Sequence, residues 1–255
     1  MSQKLKIGIV GMGNVGIHFL KHLIELGQTN LTVYSRSGNN LPIPMDVKDV
    51  QFTNDFKEFI DFDIVFCAVN DNTMAEMVQL ISKYAPVVSV SGTVNLNHLK
   101  TKYPVGTFYP LQSFKADQQI NWKGLPLFIE TADPTFKSFL LKLGKTFSGN
   151  AIELSEDKRQ YLHVAAVFAN NFTNHIIDLA AHYCEEHDIQ FDWLKPLINQ
   201  TMEKIQTNHP HDILTGPAVR NDQSTIKKHL QLLEPDQKNI YQTLTKSILK
   251  HHQHD

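Results

Sequence analysis

A glycine-rich turn near the start of the chain has residue types and spacing suited to holding a dinucleotide. Gly11, Gly13 and Gly16 form a G-x-G-x-x-G pattern between an apolar run and a helical pattern. The first glycine permits a tight turn, the second lets the backbone approach a pyrophosphate, and the third allows close helix–strand packing. The helix N-terminus would hold the pyrophosphate charge. An ordinary turn without a ligand is the alternative. The pattern predicts cofactor contacts from Gly11, Met12, Gly13, Asn14, Val15 and Gly16.

The residues after the second apolar run indicate which dinucleotide is bound. An NAD site usually has Asp or Glu there, roughly 20 residues beyond the glycines, to accept from the ribose 2′-OH. This chain has Ser35, Arg36 and Ser37 instead. An arginine between two hydroxyls suits a 2′-phosphate, so we predict NADP(H), with NAD(H) as the second choice. A surface turn with an incidental arginine would have the same residues.

Polar residues also follow several later apolar runs. Ligands of open α/β sheets bind outside the carboxyl ends of the strands, so these residues could surround the nicotinamide half of the cofactor. Each of them alone is equally typical of a turn that ends a strand. We predict that the cofactor contacts Val69, Asn70, Ser91 and Gly92, and that the substrate contacts Gln112.

Four polar residues, Arg159, His163, Asn170 and Asn174, lie nearly in one line on a long helical pattern that is otherwise apolar. An apolar circumference predicts burial, and buried polar groups need partners. His163 is the candidate general acid, because imidazole titrates nearest neutral pH. Asn170 would donate to a developing oxyanion, and Arg159 and Asn174 would contact the substrate. The alternative is that these polar side chains find their hydrogen-bond partners on another helix or on a second copy of the chain.

A turn that contains Gly216 and Pro217 leads to Arg220, and Asp222 is placed to cap the helix that follows. The Arg220 guanidinium could clamp a substrate carboxylate, or it could pair with Asp222 for structural reasons.

These residues need a sheet and a helical region to position them. Continuous β-branched runs that alternate with helical patterns predict the α/β class, with a Rossmann doubly wound, mostly parallel sheet. After Leu154 the strand signals nearly stop, and Ser155 is a plausible N-cap for the first of several helices. We therefore predict a Rossmann domain over residues 1–154 and an all-α substrate and dimerisation domain over 155–255. Surplus apolar surface on the helices predicts a homodimer; a monomer folded back on its own helices is the alternative.

Composition and short motifs exclude other classes of protein. The net charge of -2 gives no electrostatic reason to expect nucleic acid or a membrane as a partner. The N-terminal residues lead directly into the first strand, without the apolar stretch of a secretory signal. We predict that Cys67 and Cys184 are buried free thiols, which favours a reducing compartment such as the cytoplasm. His209, His211 and Asp212 match no standard ligand set, so we predict solvated histidines and no metal site.

Four segments resemble one family: the glycine turn and residues 109–114, 162–172 and 214–222. The chain is similar to a Rossmann-like group whose C-terminal half is known as domain of unknown function 2520. Its N-terminal half resembles deazaflavin-dependent NADP reductases, pyrroline-carboxylate reductase and ketopantoate reductase. The resemblance implies a dinucleotide-binding domain and a helical domain that commonly dimerises. Tyr109 stands where the family often has histidine, and Asn221 where it usually has glycine, a position where asparagine tolerates the left-handed conformation.

Together these features predict an NADP(H)-dependent oxidoreductase. It would transfer hydride to or from a small polar carbonyl or imine substrate, carboxylated if Arg220 binds a carboxylate. A non-catalytic protein that senses or binds a dinucleotide is the alternative, because such a protein needs no donors aligned at a cleft.

Overall fold

The first part of the molecule is built on one eight-stranded sheet. The computed structural model describes residues 4–35, 50–96 and 98–252. The strands are β1 (Ile7–Val10), β2 (Leu31–Tyr34), β3 (Val50–Thr53), β4 (Ile64–Cys67), β5 (Val87–Ser89), β6 (Val105–Pro110), β7 (Leu127–Glu130) and β8 (Ala151–Glu153). Their spatial order is β3-β2-β1-β4-β5-β6-β7-β8, and all neighbours are parallel except β6 and β7. The predicted Rossmann-like α/β class is confirmed.

The central strands lie in the core because both of their faces are covered. Every residue of β1 and β4 is buried, as their continuous apolar runs predict. The covering helices are α1 (Asn14–Glu25), α2 (Asp71–Ile81) and α3 (Pro134–Ser148), together with a short 3-10 helix at Phe56–Phe59. Phe19 on α1 packs against Phe66 on β4 with ring centroids 5.1 Å apart. This packing fixes the N-terminus of α1 above the carboxyl end of β1.

β3 is the strand that the sequence pattern did not reveal. It lies at the edge of the sheet and pairs only with β2. Its residues are half-buried or exposed, so it lacks the continuous apolar run by which the buried strands were recognised.

The chain divides into two compact units, residues 1–168 and 169–255. The first unit contains the sheet and α4 (Glu156–Ala166), and a π-helical segment, Val167–Phe172, spans the division. The second unit contains α5 (Thr173–Glu186), a 3-10 helix (Phe191–Leu194), α6 (Lys195–Thr207), α7 (Pro210–Ile213), α8 (Gln223–Gln231) and α9 (Pro235–His252). The predicted helical C-terminal region is thus confirmed. The predicted boundary at residue 154 between the Rossmann domain and the helical domain stays a prediction.

Two expectations for the long helical pattern are wrong. The π-helical segment interrupts the 3.6-residue period, so the line of polar residues is not carried by one regular α-helix. The pattern is also not buried in the single chain, since Tyr161 is 76% and Val164 55% exposed. Apolar residues can form a helical face that the rest of their own chain leaves uncovered.

Ser155 occupies the N-cap position of α4 as predicted, but its side chain makes no capping hydrogen bond. The Glu130 carboxylate on β7 caps the helix instead. Its Oε1 accepts a hydrogen bond from the backbone N–H of Glu156 at 2.8 Å. A capping group from a distant strand leaves no local sequence signal.

Cys67 and Cys184 are both buried free thiols, as predicted, and burial raises the pKa of Cys67 to about 12. Within the described residues, no helix is both long enough and apolar enough to cross a membrane.

Candidate functional site

Two glycines of the turn after β1 are required by close packing. Gly11 has a φ of +96°, and a Cβ there would lie 2.5 Å from the carbonyl oxygen of Ala68. A Cβ on Gly16 would lie 1.8 Å from the carbonyl oxygen of Gly11. A residue with a Cβ would clash with the backbone at either position. The two glycines therefore allow α1 to begin directly beside the carboxyl end of β1.

Gly13, in contrast, faces open space. A Cβ on Gly13, the N-cap of α1, would meet no described residue within 4 Å. No side chain caps this helix, and the helical bonds begin with the Ile17 N–H, which donates to the Gly13 carbonyl at 3.1 Å. Within the described residues, the first-turn N–H groups of Asn14, Val15 and Gly16 are therefore available to an anion, and Met12 packs against the core. This arrangement fits the pyrophosphate of a dinucleotide.

The part of the site predicted to choose between NADP and NAD is described only at its first residue. Ser35 follows β2, and its backbone N–H donates to the carbonyl of Thr53 at 2.9 Å. Arg36 and Ser37 lie outside the described residues. Their role in binding a 2′-phosphate stays a prediction.

The carboxyl ends of the neighbouring strands bring further predicted residues to the same edge. Val10, Cys67 and Ser89 are in register across β1, β4 and β5. Val69 and Asn70 follow β4, and Asn70 is the N-cap of α2.

Ser91 follows β5 within a short hydrogen-bonded chain. Its Oγ lies 3.2 Å from Oγ1 of Thr93, which in turn donates to the Asp71 carboxylate at the start of α2. Gln112, two residues beyond β6, is exposed and accepts from the N–H of Ser113 at 2.9 Å.

Gly92 lies where the side chains of Tyr109 and His163 meet. A Cβ on Gly92 would lie 2.6 Å from Cζ of Tyr109 and 2.9 Å from Nδ1 of His163. The Tyr109 hydroxyl and His163 Nδ1 are within hydrogen-bonding distance, 3.3 Å. His163 is half-buried on α4, and its Nε2 makes no hydrogen bond within the part of the chain that the structure describes. The imidazole therefore keeps one nitrogen for a ligand.

Arg159, one turn before His163, is held by protein groups. It is 1% exposed, and NH1 donates to the Gly92 carbonyl at 2.8 Å. NH2 donates to the Val94 carbonyl at 3.1 Å and to Glu130 Oε2 at 3.3 Å. Nε has no partner among the described residues. The guanidinium thus fixes the segment after β5 that contains Gly92, and its predicted contact with substrate stays a prediction.

Tyr109 is the site residue that the sequence reasoning did not assign. It is the penultimate residue of β6 and is buried, with an elevated pKa because burial disfavours the phenolate, an effect that the Arg159 charge partly offsets. The departure from the family histidine at this position was the signal that could have revealed it. Its pairing with a residue 54 positions later depends on tertiary structure.

The remaining predicted residues belong to the second compact unit. Asn170, in the π-helical segment, and Asn174, on α5, are both exposed. Gly216 has a φ of +113° and Asn221 a φ of 52°, so the turn before α8 forms with the left-handed asparagine that was expected.

The same turn leaves the Arg220 side chain exposed. No carboxylate of the described residues lies within ion-pair distance of it. Asp222 caps α8 as predicted, and hydrogen bonds from Thr225 and Ser224 lower its pKa to about 2. Arg220 and Asp222 lie beyond ion-pair distance of each other, but the Arg220 charge also lowers the pKa of Asp222, so the contact of Arg220 with a substrate stays a prediction.

The first unit is therefore a dinucleotide-binding Rossmann domain with an imidazole beside the carboxyl edge of its sheet. Residues 6–93 match the family described as NADP oxidoreductase, coenzyme F420-dependent, and residues 125–248 match domain of unknown function 2520. These two matches support an NADP-dependent reductase with NADP(H) as its cofactor, as the sequence motifs predicted. No curated protein matches it.

Solved structures show the same architecture over nearly the whole chain. A "putative NADP oxidoreductase" from Bacteroides fragilis is 29% identical, with a TM-score of 0.84 over 97% of this chain and 98% of its own. A Thermotoga maritima protein is 18% identical, with a TM-score of 0.71 over the same shares. Pyrroline carboxylate reductase from Plasmodium falciparum, solved with NADP bound, is 13% identical, with a TM-score of 0.61 over 97% and 98%. At these low identities, the similarities to the last two proteins show a shared fold alone.

Proposed function

We propose that the protein is a reductase that uses NADPH to reduce a small polar carbonyl or imine compound. The observation that supports it most is the His163 imidazole, which lies against Gly92 at the edge of the sheet where we predict that the cofactor binds. A protein that only senses a dinucleotide needs no such group there. The similarity in fold to a pyrroline carboxylate reductase makes cyclic imines a substrate class to test first.

The reduction requires a hydride at carbon and a proton at the carbonyl oxygen or imine nitrogen. NADPH supplies the hydride when bound. His163, as imidazolium, gives its Nε2 proton to the oxygen or nitrogen as negative charge develops there, and the neutral ring regains a proton from solvent. Asn170 stays the predicted donor to a developing oxyanion, and Asn174 and Gln112 stay predicted substrate contacts. Because Arg159 is 1% exposed and bonded to protein groups, it would act on the site by holding the Gly92 carbonyl rather than by touching the substrate.

Arg220 would bind the substrate if it carries a carboxylate, because a guanidinium holds a carboxylate through two parallel hydrogen bonds. Incubating the protein and NADPH with a panel of keto acids, matched ketones and cyclic imines tests this assignment. Carboxylated members should turn over faster than their neutral counterparts, and Arg220→Gln should remove that difference. Equal rates for both sets would assign Arg220 another role.

The cofactor preference is predicted to depend on Arg36. A charge-assisted hydrogen bond to a 2′-phosphate contributes about 1.5–3 kcal/mol, so NADPH should bind on the order of 10- to 100-fold more tightly than NADH. Titration of both cofactors should show that Arg36→Ala removes this preference while NADH binding is kept. Lys21→Ala, which removes a cation outside the predicted phosphate contacts, is the matched control. Equal affinities of the wild type for both cofactors would contradict the assignment.

We further propose a homodimer formed through the helical region. Trp193 is 68% and Leu197 60% exposed, and a second copy would remove such apolar surface from water. Light scattering at micromolar concentration should give twice the 29.1 kDa mass of one chain. Leu197→Asp should shift the protein toward the monomer, whereas Glu203→Gln on the same helix should not. A wild type that stays at 29.1 kDa would exclude the dimer.

A further inference from the structure

The Tyr109 hydroxyl has a defined partner, Nδ1 of His163, and a buried location. We infer that Tyr109 is a positioning residue that holds Nδ1 of His163, so that Nε2 is the nitrogen that exchanges the proton with the substrate. This inference rests on the proposed function, because it describes how the proposed acid is oriented.

The choice of a hydroxyl at this position has a chemical consequence. A hydroxyl can donate to a bare Nδ1 and can also accept from a protonated Nδ1. In the proposed step Nδ1 carries its proton both before and after Nε2 gives one up, so the Tyr109 oxygen would accept from Nδ1 throughout. A carboxylate in its place would accept only and would favour the charged ring. A phenylalanine would leave both ring nitrogens free to change roles.

The surroundings of the pair restrict its movement. Gly92 lies so close that a Cβ would contact both the Tyr109 ring and His163 Nδ1. The Gly92 carbonyl is itself held by Arg159 NH1 at 2.8 Å. The Tyr109 ring also packs near Phe128, with centroids 6.3 Å apart. The buried Tyr109 ring is therefore closely packed, which suits it to hold Nδ1 of the half-buried His163 in one place.

The test measures the tautomer of His163 directly. Protein labelled with ¹⁵N-histidine is compared as wild type, Tyr109→Phe and Tyr103→Phe, the last being a matched control outside the site. The His163 resonances are assigned by their absence in His163→Gln. Spectra are recorded at pH about 8.5, roughly two units above the ordinary imidazole pKa.

Tyr109→Phe should lower the fraction of the Nδ1–H tautomer of His163 about 2- to 10-fold, because the phenol oxygen that would accept from Nδ1–H is lost. It should lower kcat by a similar factor and leave NADPH affinity unchanged, whereas Tyr103→Phe should change neither. An unchanged fraction, or a changed fraction with unchanged kcat, would overturn the positioning role. Full turnover by His163→Ala would instead overturn His163 as the proton donor, and no turnover of any substrate by the wild type would overturn the proposed function, so the failures are distinguishable.

Discussion

Replacing His163 with alanine is expected to lower turnover about 10²–10³-fold while the protein folds normally and binds NADPH as before. The imidazole is half-buried and contacts Tyr109 through Nδ1, so its removal takes away the proposed proton donor. Loss of a positioned acid or of one donor to a developing oxyanion has effects of this size. Steady-state kinetics, NADPH titration and thermal unfolding together measure the three quantities.

The matched control for this change is His175→Ala, which removes an exposed imidazole from α5 and should leave turnover near the wild-type value. The opposite pattern would assign His163 a structural role. In that case His163→Ala would unfold at a lower temperature while its folded fraction kept full activity.

Replacing Arg159 with methionine is expected to lower the free energy of unfolding of the first unit by about 3–5 kcal/mol. The change leaves Glu130 without its cation and leaves the carbonyls of Gly92 and Val94 without their donors. Groups left buried without partners carry their full desolvation cost. A loss of this size should lower the unfolding midpoint by roughly 6–20 °C, and calorimetry or circular dichroism would measure it.

Glu130→Gln provides the control for Arg159. Glutamine keeps an oxygen that can accept from the Glu156 N–H but removes the negative charge that faces Arg159. If the ion pair carries the effect, the double variant should be more stable than the sum of the two single losses predicts. Strict additivity would assign the effect to the hydrogen bonds with the Gly92 and Val94 carbonyls rather than to the ion pair. A loss below about 1 kcal/mol for Arg159→Met would show that the buried guanidinium does not support this unit.

The parallel core of the fold could be predicted because short stretches of sequence indicate its strands and the turn after β1. β1 and β4 are continuous apolar runs, and the conformation and close packing of Gly11 and Gly16 leave room only for glycine. β3 could not be recognised, since an edge strand buries only part of its surface. The π-helical segment also escaped prediction, because hydrophobic periodicity assumes a constant 3.6 residues per turn.

The residues of the candidate site could be selected from the sequence, whereas their contacts in the structure could be predicted only in part. His163 was found because an imidazole interrupts an apolar helix, but its partner Tyr109 comes from β6 and is joined to it only by folding. Arg159 was expected to face a substrate, yet carbonyls from the segment after β5 accept its hydrogen bonds. A polar residue on an apolar helix signals that a partner exists; which partner it is depends on tertiary structure.

The most direct test of the central claim follows the hydride itself. The protein is incubated with NADPH deuterated at the transferred position, together with the panel of cyclic imines, keto acids and an extract of small cellular metabolites, and the products are analysed by mass spectrometry. We predict that deuterium appears on carbon in a small polar product with the wild type and falls about 10²–10³-fold in His163→Ala. Tight binding of NADPH with no deuterium in any product would contradict a reductase and would favour a protein that only senses the dinucleotide.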